Sequence, residues 1–197
     1  MSLARKQRLV VKLFDELAEQ TAQFVQESGF KCKPGCGKCC VYPKIHATIL
    51  EFIPFALKMV KEERAFGLLE SLRSKDAESS SCIIFNPISP NSSNGSCSDY
   101  SNRGLICRLF GYSGNSNKEE TYDIITCDII KSDNPHFFKN AESILAHSTH
   151  LPIATDYYSK LQAIDLNLAL DTYPVNIAIK KALEYVLAYY SYRNHPK

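Results

Sequence analysis

Four cysteines fall within nine residues, Cys32, Cys36, Cys39 and Cys40, in a run that reads Lys-Cys-Lys-Pro-Gly-Cys-Gly-Lys-Cys-Cys from position 31. Thiols are seldom crowded this way for packing. Several sulfurs converging on one small volume are what a soft metal ion or an iron–sulfur cluster requires. Cys82, Cys97, Cys107 and Cys127 are spread over the middle of the chain and bring the candidate ligands to eight. In a helical turn Cys36 shares a face with Cys39 and Cys40. Gly35 and Gly37 let the backbone wrap closely and present N–H groups to sulfur. Cys39 and Cys40 should point about 100° apart if helical. The spacing therefore predicts that they do not both bind one mononuclear ion. Either two metals are held, or a distant cysteine joins the opening cluster.

An even number of cysteines also suits four disulfides in an exported chain. The vicinal pair argues against that, since each member would need its own partner. The first eight residues resemble the basic start of a signal peptide, but Asp15, Glu16 and Glu19 interrupt any apolar segment after it. The expectation is a cytoplasmic chain in a reducing pool, with thiols free for metal. Lys31, Lys33, Lys38 and Lys44 stand around the cysteine run with no acid from 31 to 44. They are either a solvated loop face or an offset to the negative charge of a thiolate centre. Arg108 follows Cys107 directly, and Arg103 stands four residues before it. A guanidinium there either lowers a thiol pKa and bonds sulfur, or ties the loop to a helix. His46, six residues past Cys40, suits a surface or capping role better than a ligand's.

Other chemistry finds no support. The net charge of +2 makes no case for nucleic acid. No membrane insertion is expected, because the most apolar stretch, 45–60, is short and interrupted by His46, Glu51, Pro54 and Lys58. No Ser/His/Asp arrangement, phosphate loop or HExxH is present.

The elements that must position these residues follow from periodicity. Residues 2–28 read as an amphipathic helix with Ser2 as cap, Val10, Leu13, Phe14, Leu17 and Phe24 on one face, and Gly29 as stop. Thr48-Ile49-Leu50-Glu51 fits a capping box, and Pro54 should shorten or bend the turns after it. Further helices are expected over 62–74, 136–147, 155–168 and 174–192, with Pro174 at a first helical position. Between them, 82–85 reads as extended, 111–117 as a turn and 122–126 as a strand. The whole reads as a single domain, 1–197, mainly α with a small irregular or β centre. Its cysteine-cluster region is about 30–128 and its helical C-terminal part about 135–193, with helices at both ends packed around a cysteine-rich middle.

The succession Cys32-x3-Cys36-x2-Cys39-Cys40, Cys82-Ile83-Ile84-Phe85 and Cys97-x2-Tyr100-x2-Arg103-x3-Cys107-Arg108-x-Phe110 resembles the YkgJ-type cysteine-cluster family, described as zinc- or iron-chelating. The resemblance covers about 30–128. It implies a metal site made by the eight cysteines, with Arg103 and Arg108 beside the cofactor. That cofactor would be an iron–sulfur cluster or iron, or alternatively zinc. The chain departs from the family where Gly104 and Gly111 replace usual prolines and Asp99 replaces a usual apolar residue. These departures are expected to loosen the loop. Flagellin lysine N-methylases carry a similar motif, which admits methyl transfer, but no matching catalytic segment follows. The Cys-x3-Cys-x2-Cys spacing is also that of radical S-adenosylmethionine enzymes, whose alternating strands and helices are missing here. Two functions remain: an iron centre for redox or group-transfer chemistry, or a zinc-stapled module that binds without catalysis.

Overall fold

The computed structural model describes residues 1–30, 32–42, 44–74, 81–90, 92–116, 122–139, 150–191 and 193. Helix α1, Leu3–Ser28, starts on Ser2, whose hydroxyl accepts from the Arg5 N–H. It stops at Gly29, which takes the left-handed conformation (φ 66°) that glycine adopts at low cost. Its buried stripe contains all five expected apolar residues together with Leu3 and Lys6. Lys6 is buried because two partners meet it: Asp165 at 2.5 Å and the Tyr185 hydroxyl at 2.8 Å. One ion pair thus ties the first helix to the C-terminal ones.

The 48–51 signal forms, in altered shape. The Glu51 carboxylate reaches back to the Thr48 N–H, as a capping box requires, but the Thr48 hydroxyl also donates to it. A 3₁₀ turn, Leu50–Phe52, then leads into α3, Ile53–Lys61, with Pro54 in its first turn. There the missing proline N–H costs nothing. Helix α4, Ala65–Ser74, begins three residues later than expected, because Glu63 turns the chain at φ 58°. Leu69 and Leu72 are buried on its inner face, and Leu68 is half-buried.

In the last third, the helix expected over 155–168 is two. Helix α8, Ala154–Ile164, ends at extended Asp165, whose side chain caps α9, Leu166–Ala169, through the Leu168 N–H. Helix α10, Val175–Tyr190, packs along α3, and α4 leans on it. Pro174 is not its first helical residue. It stands just before, ending a strand. Of the helix expected over 136–147, Pro135–Lys139 (α7) is helical and 140–149 lie outside the described residues. Three antiparallel strand pairs connect these helices: β1, His46–Thr48, with β6, Thr172–Pro174; β2, Phe85–Pro87, with β3, Gly95–Cys97; and β4, Gly114–Ser116, with β5, Tyr122–Ile124. The extended piece expected at 82–85 is a turn, and the strand begins only at Phe85. Helices thus lie at both ends of the chain with the cysteines between. Among the described residues, no helix is long and apolar enough to cross a membrane.

The buried side chains form two bodies. The main one joins α1, α3, α4, α8 and α10. The second is aromatic: Phe24 and Phe30 meet Phe137, with Ile130 and Leu151 around them. The middle of the chain is pinned between the two. Gly95 shows how tightly: a Cβ there would stand 2.3 Å from the Asn86 carbonyl oxygen and 2.7 Å from the Phe85 ring. Backbone cannot yield as a side chain does, so Gly95→Ala is expected to cost about 1–3 kcal/mol by overpacking. Urea unfolding beside Gly67→Ala, where a Cβ meets nothing within 4 Å, isolates the clash. Equal midpoints would show the hairpin to be pliant.

Candidate metal centre

After Gly29 the chain buries Phe30 and then presents Cys32, whose N–H donates to the Tyr112 hydroxyl at 3.1 Å. Gly35 and Gly37 both take positive φ (70° and 60°), bending the loop back on itself. A single helical turn, α2, Lys38–Val41, follows and carries Cys39 and Cys40. Two backbone bonds fasten this loop to the middle of the chain: Gly95 N–H to the Gly35 carbonyl at 2.9 Å, and Cys82 N–H to the Cys40 carbonyl at 2.8 Å. The Phe85 ring lies over Gly37 and Gly95, where any Cβ would collide with it. Cys97 is directly across the ladder from Phe85.

Cys107 arrives on a short helix that periodicity did not announce, α5, Leu105–Leu109. Gly104 has no side chain to cap it. Glu51 supplies the cap from 55 residues away, accepting from the Ile106 N–H at 2.8 Å. One buried carboxylate thereby holds both the start of the 48–52 turn and the helix of Cys107. Cys127 stands before α6, Asp128–Asp133, and its carbonyl takes the Lys131 N–H.

The departures from the family pattern do not loosen the loop. At Gly104 a Cβ would lie 2.9 Å from the Glu51 carboxylate and 2.8 Å from the Phe52 ring. Gly111 sits at φ 86° and donates its N–H to the Ile125 carbonyl at 2.7 Å, both impossible for proline. Asp99 is buried on Lys58 at 2.9 Å and Asn102 at 3.0 Å. All three are locking contacts.

All eight cysteines carry free thiols. Burial pushes the Cys32 thiol up to about 11, helped by Cys36, Cys39, Cys127 and Asp133. Burial lifts Cys82 to about 12 and also raises Cys97. Cys107 stands well above the usual thiol range, because its sulfur is enclosed and Cys82, Glu51 and Cys39 add negative charge. Cys39 alone goes down, to about 7. The Cys40 thiol donates to it against the opposing effect of burial, with backbone N–H groups and Arg103 assisting. Cys40 is pushed up in turn by its neighbour. Enclosed, mutually repelling sulfurs shed their protons only when a cation joins them. Among the described residues, no three His, Cys, Asp or Glu side chains already form a metal cage.

The two arginines part company. Arg103 stacks on Tyr100 at 3.8 Å, and its charge acts on Cys39, Cys97 and Cys107. Its Nε is buried without a hydrogen-bond partner. A buried donor left open beside thiols fits an anionic thiolate centre, to which it would donate. Arg108 feels Cys107 as well, but it donates to the carbonyls of Arg103 (3.1 Å) and Ser101 (2.6 Å) and lies over Phe14. It therefore braces the loop that carries Arg103. His46 is exposed on β1 opposite Pro174. Lys33, Lys38 and Lys44 are exposed, and Lys31 lies outside the described residues. Residue spacing did not reveal the site roles of Glu51 and Tyr112. Glu51 was legible only as a local cap, and nothing singled out Tyr112.

Arg103→Gln is expected to weaken metal retention by about 1–3 kcal/mol, the size of a charge-assisted hydrogen bond. Arg103→Lys should rescue it only in part. Chelator competition measures both, and wild-type retention in Arg103→Gln would place the guanidinium outside the site.

A helical scaffold gripping an irregular middle with eight free thiols defines a cysteine-cluster protein. Residues 31–128 match the CxxCxxCC family model, described as a "putative zinc- or iron-chelating domain", and through that span, about half its length, the chain belongs to this family. No curated protein and no solved structure matches the chain.

Proposed function

We propose that the chain binds its metal through these cysteines as an iron–sulfur or iron centre, used in redox or group-transfer chemistry. The observation that carries this reading is the buried, unpartnered Nε of Arg103, whose charge acts on Cys39, Cys97 and Cys107. A donor held ready for sulfur tunes the potential of a redox centre. Bound iron would supply electron transfer or a Lewis-acid position. The chain's own residues would hold it, donate hydrogen bonds to sulfur and keep water out. A cytoplasmic, reducing setting suits the free thiols.

One observation favours zinc as a structural staple instead. The cysteines lie on the loop, the hairpin and α5, and the loop has few hydrophobic residues of its own to hold it in place. Full-length protein purified without oxygen separates the readings. Visible absorption with iron and acid-labile sulfide is the expected result. Colourless protein with stoichiometric zinc would establish the staple. Neither metal, with disulfides throughout, would overturn both.

A further inference from the structure

The eight thiols do not share one setting. Cys40, Cys82 and Cys97 pack against the main hydrophobic body, and Cys107 rides on α5, whose Leu105 and Leu109 belong to that body. Cys32 and Cys127 pack instead against the aromatic body of Phe24, Phe30 and Phe137. Backbone fastening follows the same division. Cys82 is bonded to Cys40, whereas Cys32 is bonded to Tyr112, which packs on the aromatic body. Of the remaining two thiols, Cys39 shares the short turn of Cys40, and Cys36 lies in the loop bent at Gly35 and Gly37, four residues after Cys32.

Two buried side-chain atoms among the described residues lack a hydrogen-bond partner, the Arg103 Nε and the Thr126 hydroxyl. The first has its charge beside Cys39, Cys97 and Cys107. The second immediately precedes Cys127 in the chain. Buried polar groups are rarely left unpaired, and each of these is a donor of the kind a thiolate accepts. A single tetrahedral ion or a cubane cluster takes four sulfurs, so eight exceed what one centre needs.

We propose that the chain holds two separately loading metal centres: a first drawn from the Cys39–Cys40 turn with Cys82, Cys97 and Cys107, and a second from Cys32, Cys36 and Cys127. The second set offers three thiols. The first set is richer in sulfur and has Arg103 beside it. Because the two sets rest on different hydrophobic bodies, emptying one leaves the walls of the other standing.

This inference rests on the proposed metal binding. Its test is the zinc and iron content of full-length, anaerobically purified protein, followed by the time course of metal release to a chromophoric chelator. Wild type is expected to carry two centres and to release metal in two phases. The pair Cys32→Ser with Cys127→Ser should remove one phase and leave the rate of the other within about twofold. Cys97→Ser, at a half-buried position, should speed the remaining phase at least about tenfold while sparing the one lost in the first pair. Far-UV circular dichroism confirms that each variant is folded, and Tyr112→Phe, which removes only the bond to Cys32, repeats the first comparison without touching a thiol. Release in a single phase, or any of these variants disturbing both phases together, would overturn the two-centre arrangement while leaving metal binding intact. Metal-free wild type would instead remove the metal-binding reading on which it stands.

Discussion

Glu51→Ala is expected to cost on the order of 4 kcal/mol. The side chain is fully buried and accepts from the Thr48 N–H at 2.7 Å, the Thr48 hydroxyl at 3.1 Å and the Ile106 N–H at 2.8 Å. Alanine leaves two enclosed backbone donors unpaired, at roughly 1–3 kcal/mol each. It also frees the helix that presents Cys107, so metal retention should fall with stability. Urea unfolding near pH 5 measures the first effect and chelator competition the second. A loss below about 1 kcal/mol would mean that water or a relaxed loop replaces the carboxylate.

The same residue predicts a pH dependence. Burial raises the Glu51 carboxyl from 4.5 to about 7, against the pull of its hydrogen bonds. The folded-state value lies above the unfolded one, so the fold favours the protonated acid. That stabilisation is fully present below about pH 4.5 and is lost as pH rises through 7. A shift of this size is worth about 3 kcal/mol. Wild type should therefore lose stability over that window relative to Glu51→Gln, which cannot ionise. Parallel profiles for the two proteins would assign the pH response to other groups.

The second large effect is expected at Phe30. Its ring is fully buried, with the Phe137 ring 4.6 Å away and Phe24, Tyr112 and Phe138 near 6 Å. Phe30→Ala should cost about 3–5 kcal/mol, from lost transfer energy and the cavity left behind. Phe30→Leu, which keeps most of the volume, should recover more than half. The consequence for the site is local. Cys32 follows two residues later and is held by Tyr112, itself packed edge-on against Phe30. Hydrogen exchange should rise at 30–36 and 122–131 before it rises in α3 or α10. Uniform loss of protection would show instead that the aromatic body and the main core open as one.

What the sequence determined by itself is what depends on neighbours within a few residues. Ser2, Gly29 and the apolar stripe of α1 define a helix because caps and periodicity act along one turn. The four clustered cysteines announce metal for the same reason: their proximity is covalent. The 48–51 capping signal and the place of Pro54 were legible too. The short helices α5 and α6 were not, because five or six residues have no stable helix of their own and form only when tertiary partners hold them. The partner of α5 is Glu51, 55 residues away. Gly104, Gly111 and Asp99 read as weak points, whereas the structure uses them for a carboxylate's approach, a left-handed turn and a half-exposed ion pair. Tertiary structure alone decided which thiols are neighbours. A thiol's company depends on which hydrophobic body its segment packs against, and packing energy is summed over contacts far apart in the chain.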